Sequence, residues 1–120
     1  MTADEQERCR VLREAGKTDE LVKKLRGLLE KTPAKVDAHK LLGFVLWNSR
    51  KDYDGAETQY LDALKVTGEN SDTLNQLGRL NEERKAYAKA RGYYQRSLKA
   101  EWNQPPTMEA LQRVEAAIGR

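Results

Sequence analysis

Few side chains in this sequence stand at spacings that reaction chemistry could use. His39 is the single histidine and Cys9 the single cysteine. Acid–base or nucleophilic work needs a second group within hydrogen-bond reach, and a metal needs a cluster of ligands. The sequence offers no C-x-x-C, no His/Cys cluster and no Ser/His/Asp set beside either residue. His39 therefore reads as a packing residue, and Cys9 as a small buried one rather than a reactive thiol. Asp52-Tyr53-Asp54-Gly55 echoes the start of a calcium loop, but the later oxygen ligands and the closing Glu are missing, so it reads as a turn between helices. Glu82-Glu83 resembles a carboxylate pair, yet neighbours on a helix point about 100° apart and make a poor acid–base couple. No Gly-rich phosphate loop is present. These residues predict a protein that is not an enzyme and uses no cofactor and no metal.

Two stretches are better suited to binding. Lys85, Lys89, Arg96 and Lys99 share one wedge of a helix, opposite Ala90, Tyr94 and Leu98. Four cations in a row can meet phosphates, so nucleic acid or an anionic surface is the alternative partner, although charges opposite a core usually serve solvation. A net charge of +3 is too mild to argue for nucleic acid by itself. The other stretch, Val36 to Ser49, is the most apolar helix candidate. Ala38, Leu42, Val45 and Leu46 fall on one side of a 3.6-residue wheel, and Leu41, Phe44 and Trp47 on another. A helix apolar nearly all round is buried on several sides or awaits a partner.

The elements that position these residues follow from composition and punctuation. A chain of 120 residues fits one domain. Apolar residues make up 38%, charged residues 34%, and the mean hydropathy is −0.88, values suited to a thin array of amphipathic helices with much exposed face. Three prolines and the lack of long β-branched runs leave little room for strands. A lone cysteine excludes an internal disulfide. The longest apolar run, Leu41 to Trp47, is too short to span a membrane. Met1-Thr2-Ala3-Asp4-Glu5 lacks the basic-then-apolar layout of a secretion signal. A soluble, cytoplasmic protein is expected.

Seven helices are predicted in order. Thr2 and Glu5 make a capping box for the first, which should stop at Ala15-Gly16 and present Cys9, Leu12 and Ala15 to a core, with Val11 beside them. Thr18 should cap a second, striped by Leu21, Leu25, Leu28 and Leu29 and ended by Thr32-Pro33. The third is the apolar stretch already described. Asp52 should cap a fourth carrying Tyr53, Ala56, Tyr60, Ala63 and Leu64. After a turn at Gly68-Glu69-Asn70-Ser71 come a fifth, with Leu74, Leu77 and Leu80, and a sixth, with Tyr87, Ala90, Tyr94, Ser97 and Leu98. Propensity alone would fuse these two, because Glu83-Arg84-Lys85-Ala86 holds no breaker. Asn103-Gln104-Pro105-Pro106 breaks the chain before a seventh, striped by Met108, Leu111, Val114 and Ile118.

An internal repeat separates the fifth helix from the sixth. Tyr53, Ala56, Tyr60 and Leu64 return as Tyr87, Ala90, Tyr94 and Leu98, a step of 34 residues, as from Ala56 to Ala90. Leu42-Gly43 returns as Leu77-Gly78 one residue later than that step, so the first copy holds an extra residue near Ser49 to Lys51. This pattern resembles the tetratricopeptide repeat, a helix-turn-helix unit of about 34 residues. The resemblance covers essentially the whole chain as units 2–35, 36–70 and 71–104 and a solvating helix 105–119, with the first unit degenerate. It implies an all-α, right-handed superhelical solenoid of antiparallel helix pairs. It also implies a physical reason for Gly43 and Gly78: without a Cβ, the two helices of a unit approach closely.

The resemblance further implies an inner groove lined by the first helix of each unit, commonly holding an extended or helical peptide. Its places fall at Asp37, Lys40, Leu41, Phe44, Trp47 and Asn48, then at Asp72, Asn75, Gln76, Arg79, Glu82 and Glu83. The chaperone-binding subgroup clamps a C-terminal carboxylate with Lys and Asn there. Lys40 matches the Lys, but Phe44 and Gln76 stand at the two Asn places, so that clamp is not expected. The expected role is a non-catalytic adaptor or small scaffold subunit, binding another protein's peptide or amphipathic helix, or a second copy of itself, through Lys40, Leu41, Phe44, Trp47, Asn48, Gln76 and Arg79.

Overall fold

The computed structural model describes residues 1–119. Its described residues form seven α-helices and no strand: α1 Ala3–Glu14, α2 Thr18–Lys31, α3 Val36–Arg50, α4 Tyr53–Thr67, α5 Ser71–Glu83, α6 Tyr87–Ala100 and α7 Pro105–Ile118. They divide into two compact units, Met1–Val66 and Thr67–Arg120. Within the first, α1 packs on α2 and α2 on α3; within the second, α5 packs on α6 and α6 on α7.

The first unit begins with a complete capping box. Glu5 N–H donates to Thr2 Oγ1 at 3.2 Å and Thr2 N–H to Glu5 Oε1 at 2.8 Å, satisfying two helix-end donors reciprocally. Gly16, at φ +71°, ends α1 as expected. There Lys17 N–H reaches the Leu12 carbonyl at 2.9 Å and Gly16 N–H that of Arg13 at 3.1 Å, a left-handed helix stop. Thr18 does not cap α2. The turn at Gly16 brings Lys17 to the cap position, makes Thr18 the first helical residue, and leaves the cap without a side-chain bond. Leu21, Val22 and Leu25 are buried on α2, and Ala38, Leu42, Val45 and Leu46 on α3, while Leu28 and Leu29 are half-buried. His39 has the packing role expected of it. Its Nε2 donates to the Pro33 carbonyl at 2.7 Å and its Nδ1 lies 2.9 Å from the Gln59 side-chain oxygen, tying the α2–α3 connection to α4. Asp52 caps α4, accepting Gly55 N–H at 3.0 Å.

Each tyrosine crossing is built around a glycine. A Cβ on Gly43 would lie 3.1 Å from Tyr60 Cε2 and 3.3 Å from the Ala56 carbonyl oxygen. A Cβ on Gly78 would lie 2.7 Å from Tyr94 Cδ1, closer than carbon atoms tolerate. Ala56, Tyr60, Ala90 and Tyr94 are all buried. Missing side chains on α3 and α5 are therefore what admit the rings of α4 and α6.

The break between α5 and α6 falls at Arg84 to Ala86, as the repeat requires. Ala86 N–H bonds the Asn81 carbonyl at 2.8 Å and Lys85 N–H that of Glu82 at 3.0 Å, the same closure as at Gly16, here with Lys85 at φ +63°. Lys51, at φ +53°, ends α3 similarly. There Asp52 N–H reaches back to Leu46 at 2.9 Å, one residue further than Ala86 reaches to Asn81. The extra residue of the first copy is thus absorbed as a wider helix stop.

The terminal helices bury less than their stripes suggest. On α1, Cys9 is buried, Leu12 half-buried, and Val11 and Ala15 exposed. On α7 the buried face is Thr107, Ala110 and Val114, with Leu111 half-buried and Met108 and Ile118 exposed. Each packs against one principal neighbour, so a narrower strip of its circumference is covered.

These contacts set expectations for urea unfolding midpoints at unchanged slope. Gly78→Ala should lower stability by about 1–3 kcal/mol through overpacking against Tyr94, and Gly43→Ala by less. Gly92→Ala, where an added Cβ meets nothing within 4 Å, should raise it by about 0.5–1 kcal/mol through helix entropy. Lys85→Gly should be stabilising by up to about 1 kcal/mol because it relieves a left-handed residue, and Lys85→Val should be destabilising.

Candidate partner-binding faces

The α3 face of the first unit carries Lys40, Leu41, Phe44, Trp47 and Asn48. Phe44 is 44% exposed, whereas Trp47, one turn on, is only 9% exposed. Lys40 and Leu41 are half-buried and Asn48 is exposed. Asn48 turns its amide nitrogen back to the Phe44 carbonyl at 3.0 Å. Asp37, at the same end of the helix as Lys40, is already engaged: the Met1 amine lies 2.5 Å from its Oδ2 and Ala38 N–H bonds its Oδ1 at 2.9 Å. Burial opposes its charge, but the amine's hydrogen bond and charge outweigh this and hold the Asp37 pKa below the usual carboxylate range.

On the α5 face of the second unit, Gln76 is half-buried and Arg79 exposed. Their neighbours are committed to the fold. Asn75 donates to Gln104 Oε1 at 2.8 Å and accepts from the Thr107 hydroxyl at 3.2 Å. Glu82 accepts the Tyr94 hydroxyl and Arg113 Nη2 on Oε1, each at 2.9 Å, and Arg113 Nε on Oε2 at 2.5 Å. The Arg113 guanidinium thereby holds the Glu82 carboxyl below its usual range. Burial, and then the Glu82 carboxylate, push the Tyr94 phenol upward. Lys40, Gln76 and Arg79 carry no hydrogen bond or ion pair among the described residues. With Asp37 and Glu82 neutralised, the charges left unpaired by Asp37/Lys40 on α3 and by Arg79/Glu82 on α5 are cationic.

The basic residues of the alternative reading are dispersed in their engagements. Lys85 lies in the turn before α6 rather than on it. Arg96 makes a two-pronged pair with Glu69, at 3.0 Å from Nε and 2.6 Å from Nη2, and stacks 5.5 Å from the Tyr93 ring centroid. Lys89 and Lys99 are exposed. Among the described residues no group of three or more His, Cys, Asp or Glu is placed to hold a metal, and no helix is long and apolar enough to cross a membrane.

Trp102, to which the sequence reading gave no role, is 76% exposed in the α6–α7 connection. Its signal was available: a large aromatic between two helices, outside every apolar stripe. Arg113 and Gln104, which organise the second unit's polar contacts, carry no such signal, because their partners are set by tertiary packing.

A tetratricopeptide repeat family model matches residues 8–72 and again residues 50–105. Among curated proteins none matches the chain. Solved structures share the fold at low identity. The first TPR domain of Spaghetti (RPAP3), bound to the HSP90 peptide SRMEEVD, superposes with a TM-score of 0.81 at 16% identity, covering 97% of this chain and 91% of that one. MamA gives a TM-score of 0.80 at 13% identity over 92% of this chain and 60% of its own. The Sgt2 TPR domain from Aspergillus fumigatus gives 0.77 at 15% identity, covering 98% and 81%.

The Glu82–Arg113 pair makes a pH expectation. A carboxylate whose folded pKa lies below its unfolded value of 4.5 contributes stability that is present above 4.5 and lost as pH falls through the folded pKa. Arg113→Gln should therefore cost about 0.5–1 kcal/mol at neutral pH, a figure kept small by the exposure of Arg113. Urea titrations should show the gap to wild type closing below pH 4.5.

Proposed function

The chain belongs to the tetratricopeptide repeat family, and on that premise we propose that it is a non-catalytic protein-binding module, an adaptor or small scaffold subunit of a cytoplasmic assembly. Its partner segment, an extended peptide or amphipathic helix, lies on the α3 face of the first unit. The observation that carries this reading is Phe44, an aromatic ring held 44% exposed on a helix whose other apolar residues are largely covered. The corresponding place in the next unit is the polar Arg79, so packing within a repeat does not require an aromatic there. Burying such a ring against a partner is worth roughly 1.5–3 kcal/mol, and aromatics are typical interface anchors. In this reading Phe44 is the anchor, Leu41 and the edge of Trp47 extend its apolar surface, and Asn48 flanks it. Lys40, unengaged by the fold, takes the partner's acidic groups, and on the α5 face of the second unit Gln76 and Arg79 are likewise left for polar and acidic groups.

The RPAP3 domain takes an HSP90 peptide. Here Phe44 and Gln76 replace the asparagines of a chaperone-type carboxylate clamp, so we expect the SRMEEVD peptide to bind feebly and a segment pairing an apolar residue with acids to bind well.

Selection of peptides from a random library on the immobilised chain tests this. Phe44→Glu should lower the affinity of the selected peptides at least tenfold while leaving the thermal midpoint nearly unchanged, and Lys89→Ala should alter neither. Trp47→Ala, by contrast, should destabilise the chain. Peptides that bind Phe44→Glu as well as wild type would overturn the assignment of the face.

A further inference from the structure

The loop that presents Trp102 is fixed from both sides. Gln104 Nε2 donates to the carbonyls of Ser97 at 3.1 Å and Glu101 at 2.6 Å, and its Oε1 accepts from Asn75 Nδ2 at 2.8 Å and the Thr107 hydroxyl at 3.1 Å. The Ser71 hydroxyl donates to Glu101 Oε2 at 2.8 Å, and Gln104 N–H bonds the Trp102 carbonyl at 3.1 Å. The backbone is therefore held while the indole stands in solvent. Binding through a side chain already presented on a pinned backbone loses little conformational entropy, and Trp is enriched among interface anchors.

The first unit holds a receptor of suitable chemistry. A cleft of about 310 Å³ between α1 and α2 is lined by Glu7, Arg8, Val11, Leu12 and Lys24. Val11 is 52% exposed there. Glu7 is engaged by Arg10, whereas Arg8 and Lys24 carry no hydrogen bond or ion pair among the described residues. The result is an apolar slot with an unsatisfied cationic rim.

We propose that Trp102 of one copy seats in the α1–α2 cleft of a second copy, so that the chain associates with itself head to tail. The indole's apolar body matches Val11 and Leu12, and its electron-rich face matches the flanking Arg8 and Lys24. Glu101, beside the indole, supplies a carboxylate to the same two cations. Knob and slot are different patches, so the contact is heterologous: a pair as a whole keeps one unused knob, on one copy, and one unused slot, on the other, and growth is open-ended unless a ring closes. One aromatic side chain, of about 150–250 Å², falls far short of the roughly 1,200 Å² of a stable interface. The association is accordingly weak and concentration-dependent. It uses neither the α3 nor the α5 face and stands independently of the peptide-binding reading.

Sedimentation velocity on the full chain, from micromolar to near-millimolar concentration, tests the proposal. Wild type should show a weight-average mass that rises with concentration. Trp102→Ala and Val11→Glu, both at exposed positions and each verified by circular dichroism to remain folded, should stay monomeric. An equal mixture of the two should regain association and stop at the pair, because one variant retains only the slot and the other only the knob. A wild type that stays monomeric throughout, a folded single variant that associates as wild type does, or a mixture that stays monomeric would each overturn it.

Discussion

The helix pairs depend on the approach of a glycine to a tyrosine ring. Gly43 faces Tyr60 and Gly78 faces Tyr94, with no room at the second for even a methyl group. Each ring fills the space that a side chain on the facing helix would occupy, and a buried aromatic of this kind contributes roughly 1.5–3 kcal/mol. Burial constrains the phenols in turn. Removal from water pushes Tyr60 up to about 12, and Tyr94 also rises, so folding favours the neutral phenol over its anion. Tyr94 spends its hydroxyl on Glu82, which Arg113 of α7 then neutralises. The crossing of α5 and α6 thus determines a polar contact made by α7.

That dependence explains which parts of the fold were legible beforehand. Small and aromatic residues recurring at a fixed step are imposed by the crossing itself, so Gly43, Ala56 and Tyr60 announce their counterparts Gly78, Ala90 and Tyr94. The break at Arg84 to Ala86 is different. No residue there resists a helix, and Lys85 accepts a left-handed backbone usually left to glycine. The local cost is outweighed by returning Ala90 and Tyr94 onto α5, so only the repeat could reveal it. The ends of the array were less legible. A stripe such as Met108, Leu111, Val114 and Ile118 gives direction, but how wide a strip is covered depends on how many neighbours a helix has.

The binding face shows the same division. Leu41, Phe44 and Trp47 share a spacing, yet three residues advance a helix by about 300°, so the series turns steadily as it runs. Sequence places Phe44 and Trp47 on one flank; it does not say that one is largely covered and the other largely open. Asp37 and Glu82 likewise fall at groove places in sequence, although each is neutralised by a group distant along the chain. Trp102 was overlooked for the opposite reason: periodicity finds residues that pack, and this one does not.

Stability and recognition therefore draw on separate residues of the same helices. Along α5, Leu74, Leu77, Gly78 and Leu80 are buried, and Asn75 and Glu82 are bonded within the unit. Gln76 and Arg79 are left over. On α3, Lys40 and Phe44 stand in the same relation to Leu42, Val45 and Leu46. A residue that the core does not need can change without unfolding the chain, whereas changing Gly78 or Tyr94 alters the crossing itself. With Asp37 on the same helix already paired, a partner meeting Lys40 encounters positive charge that Asp37 does not compensate. In the reading proposed here, that charge selects among apolar partners: a segment with acids beside its apolar anchor gains at both points, while one with lysine there must desolvate and oppose an unpaired cation.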